Sequence, residues 1–428
     1  MYKKPQLRFF LVLTAFLAVF LVSSNMVLAA SKNANLESGR YLISTKSYFI
    51  KSLFGVQHEF DYGFTADLTT GEVWTLEKIF KVNVSPVPLY KINGVGVVET
   101  VSANVVGVVS ETVASLQKDT QKIKDRNILP ANPISWGVVS VYGDDSIIST
   151  SGGKNVNVAV LDTGVNAAHS DLVDNIKDCK DFTRGPIARS TCEDKNGHGT
   201  HVAGIISGNG GFDAKGIWGV ASEANLLVYK VCRNDGTCWA DDVATALDYA
   251  AGAGKADIAF IGLGGNNEAS ILKNSIDSAF AKNVLIITGA GNDGPDKASI
   301  DWPSAYKNTV SVGALAEDKT VATWSSRGVN DGDFIKEERE IIFIAPGVNV
   351  ESTWADGGYR FLSGTSMSAA FVSGVAAKTW NGSATSTLVN LEKLSQDVGL
   401  VGDDNATGFG IIVLPKAKVE VSTSSLLP

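Results

Sequence analysis

The chain lacks the short motifs that signal a bound metal or a redox pair. No Cys-x-x-Cys occurs, which disfavours a zinc knuckle or dithiol centre. No His-Glu-x-x-His occurs, so His198 and His201, on one face of a predicted helix, lack the glutamate of a zincin. Only 4 histidines are present, and His58 and His169 have no clustered partner in the sequence. No EF-hand-like run of ligands is found. Dense Lys/Arg runs are missing after the N-terminus and the formal net charge is -8, so nucleic acid is not expected as a partner. Apolar residues make up 44% and charged ones 19%, which excludes a disordered or fibrous chain and suits a globular enzyme.

Long apolar runs are also scarce. The nearly unbroken one, Phe9 to Val22, is short for a membrane span. Lys3, Lys4 and Arg8 precede it and the small residues of Val27-Leu28-Ala29-Ala30 follow, so residues 1–30 read as a cleaved secretory signal rather than an anchor. Export permits disulfides. Cys179, Cys192, Cys232 and Cys238 allow three pairings, of which the nearest-neighbour one would staple two loops, and free buried thiols are the competing option.

What the chain has in quantity is glycine, 43 residues, which predicts tight turns around strand ends. Its 428 residues are enough for two domains. Residues 31–130 contain strand-like pieces such as Tyr41 to Ser44, turn residues Thr69-Thr70-Gly71, a Val-rich stretch and the charged segment Gln117 to Arg126. They read as a small α+β unit with a linker, closed by Leu129-Pro130-Ala131-Asn132-Pro133. From Val156 short Val/Ile/Leu runs alternate with helical stretches. Strands are expected at Val156 to Leu161, Ala224 to Val231, Asp257 to Leu263 and Val284 to Thr288, and helices at Thr200 to Ser207, Asp241 to Ala251 and Ala269 to Ala281. Apolar strands without alternation predict an α/β domain over 131–420, a mostly parallel sheet with helices on both faces, followed by a tail at 421–428. Such sheets bind ligands at the carboxyl ends of their strands.

Three segments place chemistry there. Val158-Ala159-Val160-Leu161-Asp162-Thr163-Gly164 ends a buried strand in a carboxylate. Asn196-Gly197-His198-Gly199-Thr200 puts an imidazole at a helix start, and Leu362-Ser363-Gly364-Thr365-Ser366-Met367 a hydroxyl at another. A serine hydroxyl needs a base within reach, and a carboxylate behind that base fixes its tautomer. Singly, these residues are more often a turn, a structural histidine and a helix cap; jointly and in this order they point to nucleophilic catalysis. Gly289-Ala290-Gly291-Asn292-Asp293-Gly294 also matches G-x-G-x-x-G, but Pro295 and the lack of a following amphipathic helix argue against a dinucleotide.

With these motifs the chain resembles the subtilisin family of serine proteases over roughly residues 134–418, in the order Asp, His, Ser. The resemblance implies a secreted, cofactor-independent endopeptidase acting on proteins and peptides as a monomer. Asp162 would orient, His198 would serve as base and then acid, and Ser366 would carry the acyl-enzyme. Asn292 would donate to the oxyanion together with the Ser366 backbone N–H. Peptides would bind by strand addition along Gly262, Leu263 and Gly264, with Gly289 and Ala290 beside them. Asp301 would lie at the floor of the main specificity pocket and attract Lys or Arg before the scissile bond. No catalytic metal is expected; surface-loop calcium, common in the family, leaves a structural ion open.

Residues 31–130 would resemble the family's propeptide, chaperone and temporary inhibitor of its own enzyme, removed by a cut between Lys122 and Pro133; a retained binding module is the rival. Two departures stand out. Phe260 and Gly262 replace the usual Asn and Ser, and Ala370-Phe371-Val372 replaces Pro-His-Val, which affects packing behind Ser366. The alternative function is a catalytically inactive binding protein that kept the fold.

Overall fold

A computed structural model describes residues 39–93, 95–96 and 129–416; the expected signal, most of the linker and the tail lie outside them. The chain divides into two compact units, Met1–Val87 and Pro88–Pro428.

In the first unit the elements run β1 (Gly39–Ser44), α1 (Tyr48–Lys51), β2 (Val56–Phe60), β3 (Gly63–Leu68), α2 (Thr70–Lys78) and β4 (Asn83–Pro86). The strands form an antiparallel sheet in the order β2-β3-β1-β4. Its core is Ile43, Ile50, Phe64, Ala66, Leu68, Leu76 and Val84. Thr69-Thr70-Gly71 is a helix start, not a turn. Thr69 Oγ1 accepts from Glu72 N–H while the Glu72 carboxylate accepts from Thr69 N–H, a reciprocal cap that outweighs the helix-breaking tendency of Gly71.

The second unit opens with β5 (Leu89–Ile92) and β6 (Val95–Gly96). It continues with α3 (Trp136–Tyr142), β7 (Asn157–Asp162), β8 (Ile176–Asp181), α4 (His198–Ser207), β9 (Asn225–Lys230), β10 (Thr237–Trp239), α5 (Ala240–Ala251), β11 (Ile258–Ile261), β12 (Leu263–Gly264), α6 (Ser270–Ala281), β13 (Leu285–Gly289) and β14 (Val310–Leu315). The last elements are β15 (Phe343–Pro346), β16 (Val350–Thr353), β17 (Tyr359–Ser363), α7 (Thr365–Lys378), α8 (Ala384–Leu394), β18 (Ser395–Gln396) and β19 (Ile411–Ile412). Nine strands form one sheet in the order β18-β19-β15-β14-β13-β11-β7-β9-β8, parallel except for the β18–β19 pair. The sequence reading of an α/β domain with helices on both faces holds. Val158 to Leu161, Ile258 to Ile261 and Leu285 to Ile287 are buried throughout, as strands covered on both sides must be.

Helix α7 is covered on every side. Thr365 to Ala377 are all buried, packed against the middle strands and α4, so no face needs to be polar. Helices α5 and α6 pack on each other and on β7 and β13. Phe371, where the resemblance leads one to expect His, fills its space tightly: a Cβ on Gly137 of α3 would lie 2.2 Å from its ring.

The parallel register aligns the exits of three neighbouring strands. Ile261 pairs with Leu161 on one side and Thr288 on the other, so Asp162 and Gly289, the last residues of β7 and β13, lie level with Gly262, the first residue after β11. The cysteines pair with their nearest neighbours, Cys179–Cys192 and Cys232–Cys238.

Candidate active site

His198 is the first residue of α4, and the sequence around it forces close approaches. The N-cap, Gly197, has φ +110°, and a Cβ on it would lie 2.2 Å from the Trp354 ring. A Cβ on Gly199 would lie 2.1 Å from the Gly164 carbonyl oxygen, so the helix start sits directly against the chain leaving β7. In this position His198 Nδ1 is 2.7 Å from Asp162 Oδ1, with both residues buried.

Asp194 makes this arrangement rigid. Its Oδ1 accepts from the N–H groups of Asn196 and Gly197 and from the Thr163 hydroxyl; its Oδ2 accepts from the Thr200 N–H and hydroxyl. One carboxylate thus ties the turn after Asp162 to the first turn of the histidine helix. Burial works to raise its pKa, but the hydrogen bonds outweigh it and hold the carboxyl below the usual range. The sequence reading missed Asp194. The available signal was an acidic residue three positions before a glycine-started helix, where unpaired N–H groups need an acceptor.

His201, one turn on, is committed elsewhere. Its Nε2 lies 3.0 Å from the carbonyls of Val350 and Arg360, fastening the β16–β17 hairpin to α4. Burial, then the neighbouring His198, lower its pKa to about 3, so it stays neutral.

Ser366 sits in the first turn of α7. Its hydroxyl donates to the Gly262 carbonyl at 2.9 Å, and His198 Nε2 is buried with no hydrogen-bond partner. The Asp–His bond is therefore made and the Ser–His bond is not. Asn292 is held by Thr365, whose N–H and hydroxyl both donate to Asn292 Oδ1 at 3.2 Å. That commits the oxygen end of the side chain.

Beside Ser366 lies a strand of the protein itself. β5 runs antiparallel between β10 and β12, with Lys91 opposite both Thr237 and Gly264. Asn93 N–H donates to the Gly262 carbonyl at 2.9 Å, and the Asn93 carbonyl accepts from the Ser366 N–H at 3.3 Å. Beyond it β6 pairs antiparallel with the end of β17, Gly96 opposite Leu362 and Val95 opposite Ser363. The chain passes Ser366 as a peptide bound by strand addition. No motif in residues 88–96 announces this, because main-chain pairing leaves little trace in side-chain pattern.

The wall beside Asn93 carries Asp301. Its N–H donates to the Ala290 carbonyl at 2.8 Å, fixing it to the segment after β13. Asp301 is 4% exposed and its Oδ1 has no hydrogen-bond partner. Burial, then Asp293, push its pKa up to about 7.

Comparison with known proteins places this geometry. A profile described as the subtilase family matches residues 153–398. The chain belongs to the subtilase family. It is 35% identical over 429 residues, 93% of this chain and 97% of the other, to the "Subtilisin" of Bacillus sp. (strain TA39). Among solved structures it is similar to sphericase, with TM-score 0.65 and 40% identity over 67% of this chain and 100% of that one. The S41 psychrophilic protease gives TM-score 0.64 at 40% identity, with the same coverage. The sequence reading of a subtilisin-like serine protease stands.

Proposed function

We propose that this subtilase is a secreted serine endopeptidase made as an inactive precursor, with Asp162, His198 and Ser366 as its reacting triad. The observation that carries the reading is the peptide-like path of β5, whose following carbonyl meets the Ser366 N–H. In the reaction Ser366 gives up its bond to Gly262 and passes its proton to His198 Nε2 as Oγ attacks a carbonyl carbon. Asp162 holds the imidazole proton on Nδ1 and stabilises the imidazolium. Negative charge developing on the carbonyl oxygen meets the Ser366 N–H and the Asn292 NH₂. The imidazolium then protonates the leaving amine, and water, activated by the same imidazole, hydrolyses the acyl-enzyme. No cofactor takes part, and one chain supplies every group.

Gly262, Leu263 and Gly264 would bind the substrate backbone, with Gly289 and Ala290 next to the pocket and Asp301 favouring Lys or Arg before the scissile bond. Two disulfides support an oxidising compartment. The N-terminal region would act as the enzyme's own inhibitor, and β5 in the cleft supports this. Calcium in surface loops remains part of the proposal. The cut proposed between Lys122 and Pro133 falls largely outside the described residues.

The test is hydrolysis of casein by the processed protein against Ser366→Ala made in the same way. Loss of turnover by at least about a thousandfold is expected. Equal activity of the two would overturn the assignment, and no activity in either would favour the inactive binding protein.

A further inference from the structure

Strand β9 ends in a lysine that the proposed reaction does not use. The register sets Lys230 opposite Asp162 of β7 on one side and Asp181 of β8 on the other, so three neighbouring strands close on a carboxylate, an ammonium group and a carboxylate. All three residues are buried, Lys230 at 5% exposure. Among the described residues of the second unit no other lysine or arginine is as little exposed. Burying that charge costs hydration, and a methionine would fill the same space without the cost.

The ammonium group is anchored to the peptide that follows Asp162. Lys230 Nζ donates to the Thr163 carbonyl. Thr163 donates its N–H to Asp162 Oδ1 at 2.7 Å and its hydroxyl to Asp194, and its Oγ1 accepts from the Gly199 N–H of α4. The next two residues continue the hold: the N–H groups of Val231 and Cys232 donate to the Asp162 carbonyl at 2.9 and 3.2 Å. The exit of β9 thus fixes the carbonyls of both Asp162 and Thr163.

Asp162 itself is short of donors. Its Oδ1 takes both of its hydrogen bonds, from Thr163 N–H and from His198 Nδ1. Its Oδ2 is buried without a partner, against Gly262, where a Cβ would lie 2.6 Å away. A buried anion with one bare oxygen is costly unless a charge of opposite sign stands near. Lys230 is the cation placed in register with it. Burial lowers the lysine's pKa from its usual value, while Asp194, Asp181 and Asp162 sustain its charge and Arg184 opposes it.

We propose that Lys230 is a positioning residue of the triad: its ammonium group offsets the Asp162 anion, its hydrogen bond fixes the Thr163 peptide whose N–H meets that carboxylate, and together they set the pH at which His198 can act as base. The inference rests on the proteolytic reading above. The charged groups that face Lys230 are Asp162 from β7, Asp181 from β8, Asp194 from the turn before α4 and Arg184 from the segment after β8; His201, beside His198 on α4, is neutral. Removing the cation leaves the Asp162–His198 pair in a more negative field, which favours the imidazolium, so His198 gives up its proton only at higher pH. Removing the Asp181 carboxylate acts in the opposite direction.

The test compares processed Lys230→Met, Lys230→Arg and Asp181→Asn with the wild type on one peptide whose residue before the scissile bond is uncharged, so that Asp301 titrates alike in all four. In Lys230→Met the acid limb of kcat/KM should move up by about half to one pH unit, with plateau kcat about tenfold lower and KM within about twofold. Lys230→Arg should keep the wild-type limb, and Asp181→Asn should move it down by about 0.3 pH unit. A wild-type limb in Lys230→Met, or one in Lys230→Arg as high as in Lys230→Met, overturns this inference alone, since a lysine that only braced the fold would lower stability or turnover without shifting the limb. If Lys230→Met does not mature, Asp181→Asn decides: a downward shift supports the role, and an unchanged or raised limb overturns it. A wild type inactive on casein overturns the reading beneath it.

Discussion

Asp194 and Asp301 are both buried carboxylates in connections between strands and helices of the same unit, and they have opposite fates. Asp194 collects five donors and stays below its usual pKa; Asp301 has an orphaned oxygen and rises to about 7. Burial acts in the same direction on both, so the supply of hydrogen bonds separates them. The satisfied carboxylate is frame, holding the histidine helix against the turn after Asp162. The unsatisfied one keeps a buried oxygen without a hydrogen bond, which the proposed function gives to a substrate's donor.

The largest effect should come from the frame. Asp194→Ala strands five donors, four of them in buried bonds, and is expected to cost about 3–5 kcal/mol of stability in urea unfolding, with turnover falling as His198 loses its support. A loss under 1 kcal/mol would remove the distinction between the two residues. Asp301→Asn should leave folding intact but lower kcat/KM for peptides with Lys before the scissile bond about a hundredfold, with little change for Asn peptides.

The pH dependence is a finer probe. With its pKa raised from 3.8 to about 7, Asp301 is neutral below 7 and charged above it. The ratio of kcat/KM for Lys over Asn peptides should therefore rise with pH through about 7, while titration of the shared catalytic groups cancels in the ratio. In Asp301→Asn the ratio should be flat. The sign for stability is the reverse of a salt-bridged carboxylate: the folded state holds its proton more tightly, so Asp301 weakens folding as pH climbs from 3.8 to about 7. The smallest effect concerns the edge strand. The Cys232–Cys238 bridge closes the loop that leads into β10, the partner of β5. Replacing both cysteines by serine should raise KM about threefold and leave kcat unchanged, because only substrate docking depends on that strand's order.

Much of the scaffold was legible because its physics is periodic. Val158 to Leu161 and Ile258 to Ile261 read as doubly covered strands and are buried on both faces. Asp162, His198 and Ser366 stood out by their motifs and by their places at strand and helix ends; the structure joins Asp162 to His198 and bonds Ser366 to the Gly262 carbonyl instead. Asp194 was not, since its role is a matter of which N–H groups happen to converge on it. Thr69 was misread because Gly71 and a threonine pair resemble a turn until Glu72 is credited as a cap. The paths of β5 and β6 were invisible, because a strand that binds through its backbone needs no pattern of its own.

The most direct measurement is labelling by a serine-directed phosphonate, mapped by mass spectrometry on the processed protein and on the full-length precursor. The expected result is a single adduct on Ser366 in the processed form, absent from Ser366→Ala and strongly reduced while β5 lies beside the serine. An adduct on another residue, or none on a processed protein that still cleaves peptides, would contradict the account.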